Sequence, residues 1–109
     1  MNYRNLIVWQ KSMDLVIEIY ELLTKFPKYE EYALKDQIRR CAVSIPSNLA
    51  EGSSREKKEF RYYIKISLGS LYELSTQLEI AKRLNYIDNL PPLIIEIDKM
   101  LKSLLKSLK

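Results

Sequence analysis

Residues 37–52 read QIRRCAVSIPSNLAEG, and this stretch combines a helix-spaced apolar stripe with polar residues that an ordinary helix does not need. Leu34, Ile38, Cys41, Ala42, Ile45 and Leu49 recur at intervals of three and four, the spacing of one helix face. Gln37, Ser44, Asn48 and Glu51 fall beside that stripe at about 100° per residue, as a polar seam. Pro46 removes a backbone donor and crowds the carbonyl of Ala42, so a kink is expected there. Because the apolar residues on either side of Pro46 stay aligned, one long kinked helix is expected, with Gly52 as its left-handed stop.

The rest of the chain reads as three more helices. The first is expected from about Leu6 to Lys25, capped by Asn2 or Asn5, with Leu6, Trp9, Met13, Val16, Tyr20 and Leu23 on its core face; Phe26-Pro27 ends it. The second begins near Glu30. Ser53-Ser54-Arg55-Glu56 has capping-box spacing and predicts the start of the third and longest helix, whose core side carries Phe60, Ile64, Ser67, Leu71, Leu74, Leu78 and Ala81. That helix frays near Asn85-Tyr86, and Asp88-Asn89-Leu90-Pro91-Pro92 turns the chain into a fourth helix reaching Lys109. There Ile94, Ile97, Leu101, Leu104 and Leu108 form the stripe, and Leu93, Met100 and Leu105 widen it beyond what one neighbour covers.

No stretch alternates apolar and polar residues as a strand does, and the short connections favour antiparallel neighbours. The reading is all-α: a single domain over residues 1–109, an antiparallel up-down-up-down four-helix bundle with its second helix kinked at Pro46.

Four segments resemble the 23S rRNA intervening-sequence proteins, a bacterial family of small four-helix bundles: LIVWQKSMDL from Leu6; Phe26-Pro27 with the Glu-rich turn before Leu34; the opening stretch; and ISLGSLYELSTQLEIA from Ile66 to Ala81. The resemblance implies the same fold and a homopentameric ring. It also implies an association with RNA or with a reverse transcriptase as protein partner, since members are encoded within inserts in ribosomal RNA genes and related bundles are accessory partners of reverse transcriptases.

Composition closes off much chemistry. The chain has one cysteine and no histidine, which excludes a disulfide framework, the common His-based nucleophile pairs and ordinary zinc sites. Cys41 lies on the apolar stripe and reads as a buried small hydrophobe. No catalytic residue, metal site or cofactor is expected, and the chain reads as non-enzymatic. No apolar run approaches the ~20 residues of a membrane span, and the N-terminus lacks a signal-type pattern, so a cytoplasmic, membrane-free protein is expected.

On the third helix Ser70, Glu73 and Gln77 mirror Gln37, Ser44, Asn48 and Glu51, while Ser67 and Gly69-Ser70 keep side chains small where two backbones approach. An interhelical hydrogen-bond seam is the expectation, ahead of a ligand groove or a paired-carboxylate site at Glu51 and Glu73. Tyr62-Tyr63 and the other tyrosines read as packing at helix margins.

Charge carries the functional clue. The chain has 18 Lys and Arg against 14 Asp and Glu, a net of +4. Between Lys35 and Arg61 seven cations, Lys35, Arg39, Arg40, Arg55, Lys57, Lys58 and Arg61, face four acids, Asp36, Glu51, Glu56 and Glu59. A basic surface on the second and third helices is expected, repeated around a homo-oligomer, binding nucleic acid through phosphates, with structured RNA favoured over DNA. The alternative is a protein-protein scaffold whose basic patch meets an acidic partner.

Overall fold

The computed structural model describes residues 2–109. Four helices, α1 (Ile7–Leu23), α2 (Leu34–Ser53), α3 (Lys57–Arg83) and α4 (Leu93–Ser107), form a four-helix bundle, with short 3-10 turns at Tyr3–Asn5 and Lys28–Glu30. Among the described residues there is no strand. Neighbouring helices run in opposite directions, as their contacts show. Along α2 and α3, Gly52 meets Tyr63, Ser67 bonds Ile45 and Ser70 bonds Ser44, so residue numbers fall on one as they rise on the other. Lys11 with Glu96, and Ile7 and Val8 lining one groove with Leu104 and Ser107, relate α1 to α4 in this sense, and Tyr72 with Asp98 and Arg61 with Leu105 do so for α3 and α4.

The core is the interdigitated apolar faces of all four helices. Ile38, Ala42, Ile45 and Leu49 from α2 and Ile64, Leu71, Leu74, Leu78 and Ala81 from α3 are fully buried, with Ile97 and Leu101 from α4. α1 differs from its sequence reading. Its buried face is Val8, Ser12, Leu15, Ile19 and Leu23, whereas Met13 and Tyr20 are exposed and Trp9 and Val16 are half-buried. The helix has two apolar stripes, and a serine in the buried one disguises it. Ser12 is accommodated because its hydroxyl donates to the Val8 carbonyl at 2.7 Å, leaving no unpaired polar group inside.

Three further local expectations are corrected. Gly52 is the penultimate residue of α2 rather than a left-handed stop, and no glycine has positive φ. Its role is clearance: an added Cβ would lie 2.5 Å from the Tyr63 Cβ, so only a glycine lets the two helices meet this closely before the turn. The Ser53–Glu56 capping box does not form. Ser53 and Ser54 instead donate backward to the carbonyls of Ala50 and Glu51 at 2.8 and 2.9 Å, and Glu56 occupies the N-cap of α3 without a side-chain bond. α2 starts at Leu34 rather than near Glu30; Glu30 instead accepts from the Leu34 N–H at 3.3 Å.

α2 continues through Pro46, and side chains crowd the acceptors around it. Ser44, Ser47 and Asn48 donate to the carbonyls of Cys41, Val43 and Ser44 at 3.0, 2.8 and 2.8 Å, and Ser67 of α3 donates to that of Ile45 at 3.0 Å. The proline cannot serve the Ala42 carbonyl, and the polar residues of SIPSN strengthen the acceptor side of the ladder around that gap.

The two ends of the bundle are built differently. At one, the α1–α2 and α3–α4 connections are joined by Tyr86, whose hydroxyl donates to Glu30 at 2.8 Å and lies 3.1 Å from that of Tyr29; its ring packs 5.2 Å from that of Phe26. α3 stops there because Asn85 takes φ 64°, while the Tyr86 N–H donates to the Ala81 carbonyl and the Asn85 N–H to that of Lys82, both at 2.9 Å. The opposite end gathers the start of α1, the α2–α3 turn and the end of α4.

Candidate nucleic-acid interface

The seven sequence-predicted cations fall into two groups. On the first half of α2 each has an acid one turn or so away. Lys35 Nζ lies 2.8 Å from Glu31, Arg39 lies 3.1 Å from Glu31 and 3.8 Å from Asp36, and Arg40 lies 3.1 Å from Asp36. Arg39 also donates to the Glu31 main-chain carbonyl at 3.1 Å. The hydrogen bond from Lys35, then the charges of Lys35 and Arg39, hold the Glu31 carboxyl below its ordinary range. Arg55 is neutralised likewise, 2.6 Å from Glu51 and 3.6 Å from Glu59, and its hydrogen bond to Glu51 raises its pKa further.

Lys57, Lys58 and Arg61 form no ion pair among the described residues. They project from the first turns of α3 beside the last turn of α4, where an open depression is lined by these three with Leu108 and Lys109. Two of them close the end of α4. Arg61 donates to the Leu105 carbonyl and Lys57 to that of Lys109, the latter at 2.8 Å, so helix-end acceptors are met by cations from the neighbouring helix.

Charge is unevenly distributed between the two ends of the bundle. Around this end lie Arg4, Arg55, Lys57, Lys58, Arg61, Lys106 and Lys109 against Glu51, Glu56 and Glu59, seven cations to three acids. Elsewhere eleven cations face eleven acids. By side-chain count this end carries an excess of four cations over acids, and the remainder is balanced. Sequence reading centred on residues 35–61 did not include Lys106, Lys109 and Arg4, which only the bundle topology brings alongside.

The family model for 23S rRNA-intervening sequence proteins matches residues 4–106. The chain belongs to that family. A solved structure agrees: the crystal structure of a protein of unknown function from the S23 ribosomal protein family of Bacteroides thetaiotaomicron VPI-5482 superposes with a TM-score of 0.84 at 25% identity, covering 97% of this chain and 99% of that one. No curated protein matches the chain.

In this member of the intervening-sequence family the polar seam between α2 and α3 is part internal and part open. Ser44 donates to the Cys41 carbonyl, and its Oγ lies 2.6 Å from that of Ser70, the two hydroxyls sharing one hydrogen bond across the helices. Asn48 bonds within its own helix. Gln37, Glu51 and Glu73 are exposed, and Glu51 is occupied by Arg55. Gln77 is 7% exposed and its Oε1 has no hydrogen-bond partner, although Cys41 and Glu73 are close by. Burial, then the nearby Glu73 carboxylate, pushes the Cys41 thiol up to about 11, which keeps it protonated and unreactive at neutral pH. Gly69 does not line the helix–helix contact; an added Cβ there would meet nothing within 4 Å. Among the described residues no cluster of three potential metal ligands exists, and no helix is long and apolar enough to cross a membrane.

Proposed function

We propose that this chain is a non-catalytic, oligomeric nucleic-acid-binding accessory protein, with structured RNA as its partner. The observation that carries the reading is an excess of four cations over acids at one end of the bundle, where Lys57, Lys58 and Arg61 have no Asp or Glu partner among the described residues. Cations at this end can neutralise approaching phosphates without first breaking an ion pair to Asp or Glu, and the release of counterions condensed on the nucleic acid drives binding without regard to sequence. On the first half of α2, Lys35, Arg39 and Arg40 would have to leave Glu31 and Asp36 to do the same. The phosphate surface is therefore centred on the start of α3 and the end of α4, with the α2 cations secondary. Membership in a family named for rRNA inserts supports RNA over DNA.

Self-association is part of the proposal. α1 and α2 leave between them an apolar groove lined by Trp9, Met13, Val16, Val43, Pro46 and Ala50, beside the exposed Ile17 and Tyr20. A second copy of the chain covers such a surface in a homo-oligomer, for which the family resemblance suggests five subunits, and each added subunit repeats the cationic end.

A gel-shift titration over a salt series tests the reading. Binding should fall with salt at a log–log slope of about −2 or steeper if three or more phosphates are engaged. Lys58→Ala and Arg61→Ala should flatten that slope more than Lys35→Ala and Arg40→Ala. Absence of RNA binding at physiological salt, with native mass still showing an oligomer, would favour a protein scaffold instead.

A further inference from the structure

We propose that Tyr62 is a stacking platform for an unpaired base, so that the partner engages α3 through a single-stranded segment rather than a duplex. This rests on the phosphate-surface reading and narrows it. Tyr62 is 63% exposed on the outward face of α3, and its hydroxyl has no hydrogen-bond partner among the described residues. The ring is nonetheless held in place. Tyr63 packs edge-on against it at 5.7 Å and 77°, and Tyr63 is itself fixed by the Arg55 guanidinium 5.7 Å from its ring and by the close approach of Gly52. A ring held in this way loses little freedom when a base stacks on it.

Its flanks match the chemistry of a nucleotide. Lys58 lies one turn before Tyr62 and Lys65 one turn after, both exposed and without an ion pair among the described residues. They are separated by about 10 Å along the helix, bracketing the ring with phosphate-seeking charges. One turn further on the same face, Gly69 leaves the surface low, since even an added Cβ would meet nothing within 4 Å, so a strand can continue along α3. The other exposed tyrosines lack this combination. Tyr72 is bonded to Asp98 and Tyr29 to Tyr86; Tyr32 follows Glu30 and Glu31; Tyr20 shares a depression with Arg39 and Arg40, but both of these are paired with acids. Base–aromatic stacking between basic side chains is the common device of single-strand binding and tolerates any base.

Fluorescence anisotropy with a labelled mixed-sequence oligoribonucleotide, the same strand in duplex, and its DNA counterpart tests this, with thermal unfolding as the folding control. The single strand should bind more tightly than the duplex. Tyr62→Ala should weaken single-strand binding roughly tenfold while leaving duplex binding and the melting curve unchanged, and Tyr62→Trp should restore it. Equal RNA and DNA single-strand affinities would mean that the platform reads the base face without the 2′-hydroxyl, and preference for RNA that it also contacts the sugar; either supports stacking. If RNA binds with the expected salt slope but Tyr62→Ala binds like the parent, or duplex binds as well as single strand, the platform is wrong while the phosphate surface stands. If neither strand binds, or polyglutamate competes as well as RNA, both readings fall.

Discussion

The two ends of the bundle solve opposite problems with similar residues. At one end Tyr86 spends its hydroxyl on Glu30 and Tyr29, α3 is closed by Asn85 in the left-handed region, and both connections are tied together. At the other, Lys57 and Arg61 serve the carbonyls at the end of α4, and Lys58 faces solvent without an acid beside it. The difference teaches that charge density along a sequence is a poor guide to a binding surface; the placement of acids one turn away decides which cations are available. An exposed ion pair contributes little to stability, yet it removes a donor from external use.

The strongest test of this contrast transplants the arrangement of one region into the other. Lys57→Glu removes a cation and sets a carboxylate one turn before Arg61, as Glu31 stands before Lys35. RNA affinity should fall by roughly 100-fold at low salt, measured by anisotropy, because one phosphate contact is lost and a second neutralised. An unchanged affinity would remove the cationic end from the interface.

Next in size is Gly52→Ala. The added methyl meets the Tyr63 Cβ, which lies too close to the backbone to swing away, so the α2–α3 pair must separate. A loss of about 2 kcal/mol in urea unfolding is expected, and RNA binding should weaken with it as Tyr62 and Tyr63 shift. Tyr86→Phe at the other end should lower the melting temperature by only a few degrees and leave RNA binding untouched, which separates the end that ties the connections together from the end proposed to meet RNA.

The smallest effect belongs to Glu31→Gln. Freed of its acid, Lys35 becomes available and affinity should rise about twofold, while the salt slope steepens. Stability also reports this pair. The Glu31 pKa is depressed in the folded chain, so its contribution is present above the ordinary carboxylate range and is lost as pH falls through the depressed value. The Glu31→Gln variant should therefore show a shallower loss of stability on acidification, followed by circular dichroism.

The core of α2, α3 and α4 was legible because each carries one dominant apolar stripe at helical spacing, so Ile38, Ile45, Leu71, Leu78 and Leu101 could be placed from periodicity alone. α1 was not, since two stripes compete and the buried one contains Ser12. Gly52 and the serines after it looked like a stop and a cap because both motifs are local, whereas their roles depend on Tyr63 across the turn and on carbonyls behind them. For the candidate interface, the pairs Glu31–Lys35, Asp36–Arg40 and Glu51–Arg55 were readable as four-residue spacings and would have flagged the neutralised cations. Glu31 lies four residues before Lys35, outside the stretch in which the seven cations cluster. The approach of Lys106 and Lys109 to Lys57 needed the folded topology.

Arg61 has a single guanidinium with two claims upon it. While it serves the Leu105 carbonyl it anchors the final turn of α4, and a polyanion that draws it outward leaves that turn without its clasp. Occupancy of the cationic end would then be written in amide exchange: the last peptides of α4 would open faster when ligand is bound, a local loosening in a complex that is otherwise more stable.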